Sequence, residues 1–221
     1  MTRQRLKFAS LAAFAGLLSL SCVTPAFAAE DANALSLRTA VGNIQAGKGK
    51  AQGNVCQECH NPDGNSTVPE YPRLSGQYSQ YILKQLRDFQ SGARKHQIMN
   101  AVTQGFSDTD FADISAWFAS NPVMQGEARS NPLGKRLFEQ GDAARQVLAC
   151  ASCHGADGKG ALASGAAYPA IGGQHRFYLR GQLLDWKSGV RQNSAGGIMN
   201  TVARSLSDAD IEALSEYLSG L

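Results

Sequence analysis

The chain has 221 residues, 43% of them hydrophobic and 18% charged, with five cysteines and a formal net charge of +3. That balance excludes a disordered polyelectrolyte and leaves room for two small domains. The positive excess sits in the first 28 residues, which carry three of the 21 basic side chains and none of the 18 acidic ones. The remainder is therefore formally neutral and lacks the basic face that a nucleic-acid partner requires.

Arg3, Arg5 and Lys7 precede an apolar run from Phe8 to Leu20, and Ala26-Phe27-Ala28 ends it with small residues. This is the order of a secretory signal peptide, with cleavage expected after Ala28 and residues 1–28 removed on export. The run is too short for a comfortable transmembrane helix. Cys22 offers a rival reading as a lipid anchor, although Ser19 stands where such signals prefer Leu. Cleavage removes Cys22 and leaves four cysteines. Residues 29–43, polar and rich in small side chains, read as an irregular N-terminal arm.

A short helix is expected from Gly47 to Val55, running into Cys56-Gln57-Glu58-Cys59-His60. Cys-x-x-Cys-His is the attachment pattern of c-type haem. Two thiols reach the two vinyl groups on one porphyrin edge, and the adjacent imidazole swings beneath the ring to the iron. Zinc or dithiol chemistry would use the cysteines without requiring His at the fifth place. Cys150-Ala151-Ser152-Cys153-His154 repeats the pattern 94 residues later, so two haems are expected. All four remaining cysteines (Cys56, Cys59, Cys150, Cys153) are then used, which leaves no thiol for a disulfide.

The surroundings repeat as well. Tyr71-Pro72-Arg73-Leu74-Ser75-Gly76-Gln77 answers Tyr168-Pro169-Ala170-Ile171-Gly172-Gly173-Gln174. Phe89-Gln90-Ser91-Gly92-Ala93-Arg94 answers Trp186-Lys187-Ser188-Gly189-Val190-Arg191, and Ile98-Met99-Asn100 answers Ile198-Met199-Asn200. A middle helix carries Tyr78, Tyr81, Ile82, Gln85, Leu86 and Phe89 on one stripe, matched by His175, Tyr178, Leu179, Gln182, Leu183 and Trp186. Ser107/Asp110 and Ser207/Asp210 are capping boxes that open the last helix of each half. Those helices should bury Phe111, Ile114, Trp117 and Phe118, or Ile211, Leu214, Tyr217 and Leu218. No strand-period run competes, so the fold class is all-α. The expected domains span 44–120 and 133–221, joined by a linker at 121–132 that is rich in turn formers, with Asn131-Pro132-Leu133 opening the second domain.

The sixth iron ligand follows from the repeat. Met99 and Met199 occupy the same place in both halves, so His60 with Met99, and His154 with Met199, form the expected ligand pairs. His96 is the rival in the first half but has no histidine counterpart in the second. Met124 lies in the linker and is expected to be structural or exposed. His175 is expected to pack or lie at the surface.

Together the two haem motifs, the Tyr-Pro-x-Leu/Ile-x-Gly-Gln segments, the late methionines and the Ser-Asp-x-Asp helices resemble the cytochrome c4 family, over nearly the whole chain after the leader. The resemblance implies two tandem class I cytochrome c domains related by approximate twofold symmetry, with haem propionates near their interface. It implies that the carbonyls of Pro72 and Pro169 accept a hydrogen bond from the proximal histidine rings, fixing their tautomer. It also implies a periplasmic electron carrier that feeds a terminal oxidase or a similar acceptor.

Coordination by His and thioether leaves no open iron position and favours the ferrous state, which suits Fe(II)/Fe(III) electron transfer rather than catalysis. Expected partners are redox proteins: a quinol-oxidising complex or dehydrogenase as donor and a terminal oxidase as acceptor. Peripheral membrane association is compatible with this reading. Two alternatives stand beside it, a dihaem enzyme of the peroxidase or thiosulfate-oxidising type and a haem subunit of a larger redox complex. A dihaem enzyme needs an exchangeable iron, a His pair or a cysteine ligand, and the repeat supplies a Met at both places.

Overall fold

The structure, a computed structural model, describes residues 35–53, 55–163 and 166–221. The leader, its cleavage point after Ala28, Cys22 and the first part of the arm lie outside the described residues. Each half of the chain wraps short helices around one haem-motif turn. In the first half these are α1 (Ile44–Gln52), α2 (Cys56–His60), α3 (Ser79–Ser91), α4 (Gln97–Val102) and α5 (Asp108–Ser120). The second half gives α6 (Pro132–Gln140), α7 (Ala151–His154), α8 (Arg176–Ser188), α9 (Ile198–Arg204) and α10 (Asp208–Ser219).

Helix α1 starts three residues before the expected Gly47, because the Asn43 side chain accepts from Ala46 N and caps it there. Asn131 does the same for α6, with Pro132 inside the first turn. Both capping boxes form: Ser107 and Ser207 bond the N3 amides, while Asp110 and Asp210 bond back to the cap residues' N–H groups. The first and last helices of each half cross at a glycine. A Cβ on Gly47 would lie 1.8 Å from Asp113 O, and one on Gly134 would lie 2.1 Å from Ala213 O, so only glycine permits the backbones to touch.

The cores lie behind these crossings. Ala51, Ile82, Ile114 and Phe118 form one, with Cys56, Leu74 and Leu86 packed on it. Leu137, Phe138, Leu179, Leu206, Ile211, Leu214 and Leu218 are among the side chains forming the other, with Cys150 against it. Trp117 and Tyr217 are only half-buried, since they lie along the glycine crossings rather than inside them.

Two features differ from the helical reading. Ala161–Ala163 (β1) and Ala166–Tyr168 (β2) pair antiparallel in the second half. Their short Ala-rich sequence carries no alternation that could announce a strand. In the arm, residues 35–38 make a helical turn. Arg38 then donates to Gly76 O at 2.6 Å and to Lys159 O at 2.7 Å, and stacks over the Tyr78 ring, tying the two halves together.

Segment 121–132 is laced to both halves. Met124 N donates to Ser75 O at 3.3 Å, and Gly126 N donates to Leu221 O at 2.6 Å. Met124 itself is buried. Among the described residues no helix is long and apolar enough to cross a membrane.

Candidate functional site

Each haem motif lies on a single helical turn, closed by a residue with positive φ, Asn61 or Gly155. The turn directs the histidine inward, and His60 and His154 are buried. His60 Nδ1 lies 2.9 Å from Pro72 O, and His154 Nδ1 lies 2.9 Å from Pro169 O. A carbonyl can only accept, so Nδ1 carries the proton and Nε2 is the nitrogen left for a metal. Burial pushes both imidazoles down, against the proline carbonyls, which push them up. Both rings are therefore neutral at pH 7. Burial also raises the Cys56 thiol and pushes Cys150 up to about 11. Thioether formation removes that charge cost altogether.

A cleft in the first half is lined by Cys56, Cys59, His60 and Met99 and, Thr103 apart, otherwise by apolar side chains, among them Leu74, Ile82, Leu86, Val102 and Phe106. This donor set, within apolar walls, fits an iron porphyrin held through two thioethers. It does not fit zinc: among the described residues no three or more His, Cys, Asp or Glu side chains gather as a metal site.

Met99 stands in the first turn of α4, and Met199 stands in the first turn of α9. His96 caps α4 through Nδ1, which accepts from Met99 N at 3.3 Å, and its side chain is exposed rather than part of the cleft. His175 Nε2 lies 2.8 Å from Ser66 O and bridges the two halves. The buried Met124 lies with its sulfur 3.6 Å from Gln174 Nε2, away from both motifs.

Three pairs of residues with a part in these sites went unassigned in the sequence, although each was visible as a repeated position. Asn200 Nδ2 donates to Trp186 O and to Arg191 O, both at 2.8 Å. Asn100 makes the same two bonds, to Phe89 O and to Arg94 O. Each asparagine thus fastens the methionine turn to the end of the middle helix.

Arg94 and Arg191 form the second pair. Arg94 donates to Gln85 on its own side and to Tyr178 and Gln182 across the interface. Arg191 mirrors it, donating to Gln182 on its own side and to Tyr81 and Gln85 opposite. The glutamines that seemed to belong to an apolar stripe are the polar seam between the halves. Both guanidinium groups are buried, and among the described residues neither forms a carboxylate salt bridge. Burial alone would raise the Tyr81 phenol, yet Arg191 and Arg94 hold it below its usual range.

The third pair is Gln77 and Gln174, whose side chains cross the interface to backbone groups of Ala170 and Arg73.

The model of the cytochrome c family matches the chain twice, over residues 44–122 and 133–221. Cytochrome c4 of Pseudomonas aeruginosa is 41% identical over 188 residues, covering 84% of this chain and 92% of that protein. A thiosulfate dehydrogenase electron acceptor of Stutzerimonas stutzeri is 34% identical, covering 76% of this chain and 79% of that protein. The crystal structure of reduced recombinant cytochrome c4 from Pseudomonas stutzeri superposes with a TM-score of 0.76 at 39% identity. It covers 81% of this chain and 99% of that one.

Proposed function

From the premise that this chain belongs to the cytochrome c4 family of dihaem electron-transfer cytochromes, we propose that it shuttles electrons in the periplasm between respiratory redox proteins, towards a terminal oxidase. What supports this reading is a buried, tautomer-fixed histidine followed by a methionine turn in each half, with His60 and Met99 lining one cleft in the first. In this proposal His60 and Met99 hold one iron, and His154 and Met199 hold the other. Cys56, Cys59, Cys150 and Cys153 form the thioethers, and the chain divides into domains at 44–120 and 133–221.

When bound, each haem supplies a one-electron Fe(II)/Fe(III) couple. The residues of the chain do the rest. Pro72 and Pro169 hold the histidine protons at Nδ1 and raise the basicity of Nε2. Met99 and Met199, on their turns, would offer a thioether to the iron and keep water and substrate from it. Arg94 and Arg191, buried at the interface without a carboxylate partner among the described residues, would be the cations available to offset haem propionates. Val55 and Ile98 around the first motif, and Leu148 and Ile198 around the second, stay exposed as an apolar collar on which a redox partner can seat.

On the donor side, the likeness to thiosulfate dehydrogenase electron acceptors favours a second donor beside quinol-oxidising complexes, namely an enzyme oxidising thiosulfate. In that reading the chain receives electrons and does not itself oxidise thiosulfate.

Near-infrared magnetic circular dichroism of the oxidised protein tests the ligation. The expected result is two low-spin irons with thioether bands, one lost in Met99→Ala and the other in Met199→Ala. A high-spin iron, or a site that exchanges its sixth ligand freely in the unmutated protein, would overturn the carrier reading in favour of catalysis.

A further inference from the structure

The peptide joining Pro72 to Arg73 is used on both of its edges. Its carbonyl accepts from His60 Nδ1 at 2.9 Å, and its N–H donates to Gln174 Oε1, in the other domain, at 2.8 Å. The twin peptide joining Pro169 to Ala170 does the same. Its carbonyl accepts from His154 Nδ1 at 2.9 Å, and its N–H donates to Gln77 Oε1 at 2.9 Å. Each glutamine closes the contact with its amide nitrogen: Gln77 Nε2 donates to Ala170 O at 2.8 Å, and Gln174 Nε2 donates to Arg73 O at 2.9 Å. Both side chains are buried. Each Oε1 also accepts from the next residue's own N–H, Tyr78 at 3.1 Å or His175 at 3.0 Å. The orientation of both amides is thereby fixed, because two donors converge on one atom.

We propose that Gln77 and Gln174 are crossed positioning residues, each tuning the iron of the opposite domain through the proline peptide that holds that domain's proximal histidine. This rests on the reading of His60 and His154 as iron ligands. The physics is hydrogen-bond cooperativity: a peptide whose N–H is bonded carries more charge on its carbonyl oxygen and accepts more strongly there. A stronger acceptor at Nδ1 gives the imidazole more anionic character and makes it a more basic ligand. That stabilises the ferric state and lowers the potential. Gln174 thus acts on the His60 iron and Gln77 acts on the His154 iron, so neither domain sets its potential alone. A glutamine that only fastened the interface would instead act on both irons alike or on neither.

The test is a spectroscopically resolved redox titration of the intact dihaem protein and four variants. Gln77→Met keeps the side chain's length and removes both bonds across the interface, together with the one from Tyr78 N. It is expected to raise the reduced-to-oxidised ratio of the His154 haem about threefold at a fixed ambient potential, about 30 mV by the one-electron conversion, with a smaller effect on the His60 haem. Gln174→Met gives the mirror result. Gln77→Glu and Gln174→Glu keep an acceptor for the peptide N–H and make it anionic, so the same crossed haem moves the other way. In the reduced protein the His154 Nδ1–H proton resonance is expected to move upfield in Q77M and downfield in Q77E. Shifts confined to the glutamine's own domain, equal shifts in both haems, no shift, or the same sign for Met and Glu would each overturn the proposal. Failure of the ligation reading is distinguishable, because it appears in the unmutated protein as a missing thioether band and removes the proposal with it.

Discussion

Replacing Asn200 by alanine isolates the device that holds one methionine in place. The Asn200 amide nitrogen bonds Trp186 O and Arg191 O at 2.8 Å each, and the side chain is 6% exposed. Two net hydrogen bonds are worth about 2 kcal/mol, and leaving Arg191 O unserved, while Trp186 O keeps the Gly189 N–H, raises the cost to about 4 kcal/mol. Because both carbonyls belong to the end of α8 and the loop after it, the loss falls on the docking of the α9 turn that carries Met199. An opening equilibrium shifted by about 2–4 kcal/mol changes by about 30- to 900-fold. The assay is imidazole binding to the oxidised protein, where an outside ligand competes with the thioether. The apparent affinity of the His154 haem for imidazole should rise by that factor in Asn200→Ala while the His60 haem stays unchanged. Asn200→Asp, which keeps the size but loses the donors, should do the same, and Asn100→Ala should transfer the effect to the other haem. Unaltered imidazole affinity together with lowered melting temperature would refute the reasoning, since the asparagine would then support the fold and not the ligand.

The glycine crossings give a prediction with an internal control. Gly47→Ala and Gly134→Ala gain helix propensity but drive a methyl into Asp113 O or Ala213 O, so each should destabilise its domain by about 1–3 kcal/mol in urea titration. Gly49→Ala on the same helix as Gly47, and Gly181→Ala within α8, meet nothing within 4 Å and should instead stabilise by up to about 1 kcal/mol; equal signs at Gly47 and Gly49 would defeat the crossing argument. Acid sensitivity should follow Asp210. Burial favours its neutral form, but Arg145 and Ser207 outweigh burial and hold the carboxyl below its usual range. A depressed carboxylate stabilises the fold at neutral pH, and that stability is lost as pH falls through its folded value. Arg145→Met should therefore cost most near pH 7 and least near pH 3, and a constant difference in urea midpoint across that window would contradict the assignment.

The sequence makes the covalent chemistry legible because that chemistry is local. A thiol, a thiol and an imidazole must fall within five residues, and two copies can be seen in any reading of the chain. The capping boxes and the stripes of Ile82, Leu86 and Leu179 are legible for the same reason, being set by the period of one helix. What stays hidden is whatever depends on the partner half. Gln85 and Gln182 fall on a stripe and look like packing positions, yet they receive the guanidinium groups of Arg94 and Arg191 from both sides. The pairing of β1 with β2 has no alternation to announce it. Arg38 is one cation in a small-residue arm until Gly76 O and Lys159 O arrive from opposite halves. Repetition alone could have flagged Gln77, Arg94 and Asn100, since each is a polar residue with an identical counterpart in the matched segment of the other half.

The polar seam also bears on why the two centres share one chain. An interface held by Leu and Phe would join the domains without informing either about the other. Here the contacts run through Arg94, Arg191, Gln77 and Gln174, which are bonded to backbone and side-chain groups of both halves, and two of those backbone groups belong to the peptides behind the proximal histidines. Charge that develops on one side is therefore met by dipoles fixed to the other in a buried, weakly screening environment. The seam is nevertheless unequal: Arg73 stands where Ala170 stands in the repeat, and the Arg73 guanidinium reaches Gly173 O at 2.7 Å and Gln125 O at 3.0 Å. A fixed cation at the peptide behind one proximal histidine, with alanine at the twin place, makes the two environments unequal. Arg73→Ala should lower the potential of the His60 haem more than that of the His154 haem, measured in the same resolved titration, because the positive charge beside the His60 peptide is gone. A separation that survives the substitution unchanged would place its origin in the haem clefts instead.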